Sequence, residues 1–179
     1  MIPRSRPAIP RGRSNLPIQF QGGAMLAKTL IDSTDLTLWA NRRGAQEMLP
    51  RVLRRLVHAT VARVERIGFP AEEGVQLGGW DEVVRVETGN AFVPDSDSVW
   101  EMGSNRNVKG KADGEYRKRS LNPVGFEPAD TTFIFVTPQR WRDKEYRAND
   151  RRAEKLWRDV RAYDAHDLAS WLAGHRSVI

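Results

Sequence analysis

The chain has 179 residues, 40% of them hydrophobic and 29% charged, which fits one soluble globular domain with some extra material. It has no cysteine, which excludes disulfides, cysteine zinc sites, iron–sulfur clusters and thiol nucleophiles and fits a reducing cytoplasm; no apolar run reaches the roughly 18 residues of a membrane span. The net charge of +6 is unevenly spread: residues 1–24 hold Arg4, Arg6, Arg11 and Arg13 and no acid, and removing these four from 29 basic residues leaves 25 against 23 acidic ones.

In chain order, residues 1–24 are rich in proline, glycine and arginine and have no apolar periodicity. They read as a disordered leader, or as a segment added upstream of a natural start at Met25. They lack the apolar core of a secretory signal, and a nucleic-acid-binding arm is the alternative reading. A single domain is expected over residues 32–173. From Leu49 to Ile67 the apolar spacing is helical, with Arg51, Arg54, Arg55, Arg63 and Arg66 mainly on the other face. Pro50 either divides this stretch or lies in the first turn of its longer helix, and Gly68 and Pro70 end it.

The period then becomes two. VQLGG and VVRVE predict two strands, and SVWEM a third beyond the Asp95–Ser96–Asp97 turn. VKGKADGEYRKR predicts a helix over 108–119, even though Gly110 and Gly114 each cost ~1 kcal/mol relative to alanine. TTFIFVT reads as a strand buried on both faces. A polar helix in DKEYRANDRRAEKLWRDV, a strand in VRAYD, and a helix in AHDLASWLAG capped by Asp164 complete the order. A meander of strands followed by crossover helices implies an α/β mixed sheet with helices on both faces.

The hairpin carries the chemistry. Pairing VVRVE against SVWEM so that Asp81 faces Glu101 also pairs Val84 with Ser98. Opposed residues have Cβ atoms ~5 Å apart. Two carboxylates that close repel unless a cation lies between them or one takes a proton. Such an oxygen pair suits Mg2+ or Mn2+, which lowers the pKa of a bound water and stabilises charge on a phosphate. Lys109 and Lys111 follow on the next helix. Lys111 is the preferred catalytic lysine, with Glu115 one turn on to steady its ammonium group. The alternative is that Asp81 and Glu101 are solvated sheet-edge acids.

Other polar residues have competing readings. Between Gly103 and Gly125, Arg106, Lys109, Lys111, Arg117, Lys118 and Arg119 outnumber Asp113 and Glu115, which makes either a phosphate-attracting patch or a solvated helix face. In VTPQRWRDK, Arg140 and Arg142 beside Trp141 either hold a phosphate and stack on a base or flank a core tryptophan. Glu47 is a third carboxylate or a surface residue. Tyr116 packs under the sheet or touches a substrate. Trp157 and Trp171 are packing residues or a dock for a following domain. His58, His166 and His175 have no ligand spacing, and no glycine-rich phosphate loop is present.

The order of elements, together with Asp81 and Glu101, resembles the PD-(D/E)xK nuclease superfamily, the restriction-endonuclease-like fold. LPRVLRRLVHAT, GGWDEVVRV, FVPDSDSVWEMG, KADGEYRKR, FIFVTPQRW and DVRAYDAHDLASWL look similar to the amino-terminal segment of large bacterial proteins. In those proteins the segment precedes an NTPase-type region, in defence against mobile DNA. The resemblance spans about residues 32–173. It implies a magnesium- or manganese-dependent DNA endonuclease, with Asp81 and Glu101 as metal ligands and Lys111 as catalytic lysine. Lys109, Arg117, Lys118, Arg119, Arg140 and Arg142 would contact DNA, and an NTPase-type domain, attached or separate, would be the partner. Two positions depart from the pattern. Gly103 stands where it wants lysine, and Glu82 stands where glycine is expected and should point to the opposite face from Asp81. An inactive nuclease-fold module that binds nucleic acid or a protein is the alternative, and a protein-interaction domain docking through the Trp171 helix is a third reading.

Overall fold

The structure is a computed structural model and describes residues 31–68 and 79–174. Two helices, α1 (Ser33–Ala40) and α2 (Ala45–Thr60), precede strands β1 (Val64–Gly68), β2 (Glu82–Val86) and β3 (Ser96–Met102). Helix α3 (Val108–Leu121) leads to β4 (Thr132–Val136), α4 (Lys144–Ala153) to β5 (Asp159–Tyr163), and α5 (Ala165–Gly174) follows. The sheet order is β1-β2-β3-β4-β5; β2 runs antiparallel to both β1 and β3, and β4 and β5 continue parallel to β3. The expected α/β mixed sheet with helices on both faces is present.

Side-chain alternation sorts the core into two layers. Val84, Val86, Trp100, Met102, Ile134 and Val136 face α1, α2 and α5. Val83, Val99, Phe133, Phe135, Val160 and Ala162 face α3 and α4. Two successive parallel crossovers moving the same way across the sheet put α3 and α4 on one face. Trp171 is buried, stacked on Phe92 with centroids 4.9 Å apart, and its indole N–H donates to Thr60. Trp171 is therefore a packing residue, and the exposed face of α5 is the one with His166, Ser170 and Ala173.

The expected helix from Leu49 to Ile67 is two elements. It ends at Thr60, and 64–68 is a strand. The register of β1 on β2 slips between Val64 and Arg66, a bulge with one extra residue. That extra residue puts Val64 and Ile67, three apart, against the same core, which imitates helical spacing. The break between the first two helices falls at residues 41–44, and Pro50 lies inside α2, beyond its first turn. The leader, most of the VQLGG strand and His175 lie outside the described residues.

Asp164 caps α5: its Oδ1 accepts from the amides of His166 and Asp167, while its Oδ2 accepts from Trp141 N–H at 3.0 Å. Lys144 adds an ammonium 2.9 Å from Oδ1. Burial works to raise this carboxyl, but the Trp141 and Lys144 hydrogen bonds prevail and hold it below the usual range. Removing a cap costs about 1 to 2 kcal/mol. Asp164→Ala is expected to lower the unfolding free energy by at least that much, measured by urea denaturation at neutral pH.

Candidate functional site

The hairpin forms in the register read from the sequence: Val84 pairs with Ser98 and Glu82 with Trp100, so Asp81 and Glu101 are the next pair. Pleating turns Glu101 to the α3 face with Val99, and Glu82 to the opposite face. Asp81 Oδ2 accepts the amide of Met102 at 2.7 Å, which fastens the end of β2 to the end of β3.

Helix α3 lies over this corner. Lys111, Glu115 and Arg119 recur every four residues, in line with the buried pair Ala112 and Tyr116. Lys111 donates to Glu115 Oε1 at 2.6 Å, the partnership expected from their spacing. A Cβ at Gly103 would meet Lys111 Cγ at 2.9 Å and Phe135 Cζ at 3.4 Å. The Lys111 stem thus occupies the space a side chain at 103 would need, on the same face as Glu101. Gly103 is two residues beyond Glu101, where the nuclease pattern carries its lysine.

Arg119 corrects one expectation. It is 5% exposed and is not a surface contact for DNA; its Nε donates to Glu101 Oε1, and its guanidinium lies 4.6 Å from the Trp80 ring centroid. Gly79, at φ +98°, lets the guanidinium approach: a Cβ there would stand 2.7 Å from an Arg119 nitrogen. Arg119 follows Lys111 by eight residues and Tyr116 by three, and the packing of α3 over the hairpin carries it onto the buried stripe.

The electrostatics follow from this packing. Glu101 is 2% exposed, and burial, then Asp81, push its carboxyl up to about 8, with Arg119 pulling the other way. The direct contact favours the charged form, yet one guanidinium does not offset both burial and a neighbouring carboxylate. Burial works to raise Glu115, but the hydrogen bond and charge of Lys111 outweigh it and hold the group below its ordinary range. Largely exposed Lys118 approaches the other Glu115 oxygen at 3.5 Å.

Among the described residues, no three His, Cys, Asp or Glu side chains gather to hold a metal ion. Of the expected ligands, Asp81 and Glu101 supply carboxylate oxygens, the donor type a hard divalent ion takes, and one Glu101 oxygen is engaged by Arg119. Mg2+ commonly takes one or two carboxylates and completes its shell with water and phosphate. Asp81 and Glu101 occupy neighbouring paired positions at the hairpin end, close enough for Asp81 to raise the Glu101 carboxyl.

Of the other expected residues, Lys109, Arg117, Arg140 and Arg142 are exposed. Arg140 donates to Ser33 Oγ and Thr34 Oγ1 on α1. Trp141 is buried edge-on to Phe135, which removes it as a base-stacking platform. Trp157 is also buried, and Tyr116 packs under the sheet with its hydroxyl on Glu154. Glu47 is exposed; its neighbour Gln46 is the α2 residue that reaches the site. Gln46 Nε2 donates to Met102 O at 3.4 Å, and its Oε1 accepts from Ser104 N at 2.9 Å. Gln46 flanks the buried Ala45–Leu49 stripe, a position that the apolar spacing marks but does not assign.

Fold and site define an α/β protein with a mixed five-stranded sheet and a buried mixed-charge cluster at one corner of an antiparallel hairpin. Comparison with protein-family models, with curated proteins and with solved structures gives no match. No helix among the described residues is long and apolar enough to cross a membrane.

Proposed function

We propose that this chain is a nuclease domain of restriction-endonuclease-like architecture that hydrolyses DNA phosphodiester bonds with a divalent cation. The observation that carries the reading is the Lys111 stem lying against Gly103, on the sheet face that bears Glu101. An ammonium borne by α3 thereby stands in for the lysine that the superfamily pattern has at 103. The meander of three strands and the parallel crossover through α3 support the architecture.

Asp81 and Glu101 would hold the ion, which supplies Lewis-acid stabilisation of a scissile phosphate and a water of lowered pKa. Lys111 offsets negative charge developing on the phosphate, held in direction by Glu115. The Met102 amide fixes the Asp81 carboxylate, and Gln46 fixes the backbone just beyond it. The proposal extends to defence against mobile DNA, in company with an NTPase-type domain.

A second reading rests on Arg119. Its guanidinium engages the Glu101 oxygen that a cation would use, and a protein keeping that ion pair would be a nuclease-fold module without cleavage. The deciding experiment is plasmid nicking with Mg2+ or Mn2+. Cleavage that chelation stops, and that Asp81→Asn and Glu101→Gln abolish, is the expected result. Cleavage that survives both substitutions, or DNA binding with no cleavage under either ion, defeats the nuclease reading.

A further inference from the structure

Three loops meet at the carboxyl end of β3 and β4. Residues 41–44 read NRRG, 103–107 GSNRN and 137–142 TPQRWR. Together they hold five arginines and no acid, and Arg42, Arg43, Arg106, Arg140 and Arg142 are all exposed. Glu47 and Asp143 flank these segments in sequence, Asp164 accepts the Trp141 amide, and Arg140 bonds Ser33 and Thr34, which lie between Asp32 and Asp35.

Asn41 joins the three loops. Its Oδ1 accepts from Arg106 Nε at 3.1 Å and lies 3.5 Å from Gln139 Nε2, while its Nδ2 donates to Thr37 O at 2.8 Å. Gln139 also donates to Ser104 O at 2.9 Å. Ser104 is held by Gln46, Gln46 also reaches Met102 O, and the Met102 amide is held by Asp81. A chain of hydrogen bonds thus runs from the carboxylate corner to the arginine-bearing loops, and it includes contacts between segments 56, 58 and 65 residues apart.

We infer that these three loops form the docking rim for the nucleic-acid backbone, with Arg42, Arg43 and Arg106 as phosphate contacts, Arg106 being held by Asn41; this rests on the nuclease reading and names where its substrate lies. Arginine forks match phosphate oxygens bidentately, and backbone contacts draw also on amide and hydroxyl side chains, which these loops supply as Asn105, Asn107 and Ser104. The exposed face of α3 is the weaker competitor. Its Lys109, Arg117 and Lys118 share a helix with Asp113 and Glu115, and Lys118 already approaches Glu115. The rim also adjoins the charge cluster, so a strand held there passes the carboxylate corner.

The test is binding of a fluorescent DNA duplex of mixed sequence by the full chain carrying Asp81→Asn, measured across a salt series. Adding Arg42→Ala with Arg43→Ala is expected to lower the slope of log K against log salt by about 2, and Arg106→Ala by about 1. Lys109→Ala with Arg117→Ala should leave the slope near the parent value. Thermal denaturation of each variant confirms an intact fold. Unchanged slopes in the rim variants, loss of slope in the α3 pair instead, absence of DNA binding by the parent, or equal competition by polyglutamate would each overturn the inference. Rim-dependent binding without cleavage by the wild type would sink the nuclease reading alone. Cleavage with unchanged rim slopes would sink the rim alone.

Discussion

Lys111→Ala is expected to reduce divalent-dependent DNA cleavage by about 10²- to 10³-fold, and Gly103→Lys in the same chain is expected to restore a measurable part of it. Removing one preorganised group that stabilises transition-state charge costs about that factor. The partial rescue follows from packing. In the wild type, a Cβ at 103 would press on Lys111 Cγ at 2.9 Å, so Gly103→Lys alone should impair both folding and cleavage. With Lys111 truncated that obstacle is gone. The remaining neighbour, Phe135 at 3.4 Å, needs to yield only a few tenths of an ångström. The new lysine then rises from the strand itself, two residues past Glu101. Single-turnover rates on supercoiled plasmid, with thermal denaturation of each variant, measure the effect. A Lys111→Ala protein that cleaves at the wild-type rate would remove the ammonium from the mechanism. A folded double variant no better than Lys111→Ala would show that the two positions do not aim at one place.

The second large effect concerns stability. Glu82 faces the core on the α2 side, 2% exposed, and neither carboxylate oxygen has a hydrogen-bond partner among the described residues. Burial pushes its carboxyl up to about 9; the Arg54 charge opposes this and Asp81 adds to it. The folded protein therefore keeps a proton that the unfolded chain releases near 4.5. Its stability falls as pH rises through the window from about 4.5 to about 9, at about 1.4 kcal/mol per pH unit. Glu82→Gln removes this linkage. Between pH 5 and pH 7.5 the wild type is expected to lose about 3 kcal/mol relative to the variant, read from urea unfolding at several pH values. Glu101, also pushed up by burial, contributes in the same direction to both proteins and cancels in the comparison. Parallel pH profiles would mean that Glu82 is ionised in the folded state, or that water reaches it.

Glu82 also shows why a residue-by-residue reading stops where it does. Alternation along a strand is local, so the sequence alone put Asp81 and Glu82 on opposite faces. Setting Asp81 opposite Glu101 gave the Val84–Ser98 pairing, which the hairpin has. The buried run TTFIFVT, the capping Asp164 and the order of helices and strands from β2 onward were legible for the same reason: each depends on neighbours within a few residues.

What depended on distant partners was not legible. The bulge in β1 shifted the side-chain phase by one residue and made a strand look helical. Arg119, grouped by composition with a basic patch, turned out to be buried against Glu101, because its environment is set by α3 packing over the hairpin rather than by its own neighbours. Trp141 and Trp171 were equivocal as isolated aromatics, and the rings around them decided the matter. Periodicity and spacing thus determined most of the elements and the Lys111–Glu115 pair, while the hairpin register followed from setting Asp81 opposite Glu101. Tertiary structure alone decided which charges share a low-dielectric corner, since burial and Coulomb interaction depend on distance in space, and the chain brings Asp81, Glu101 and Arg119 together only by folding.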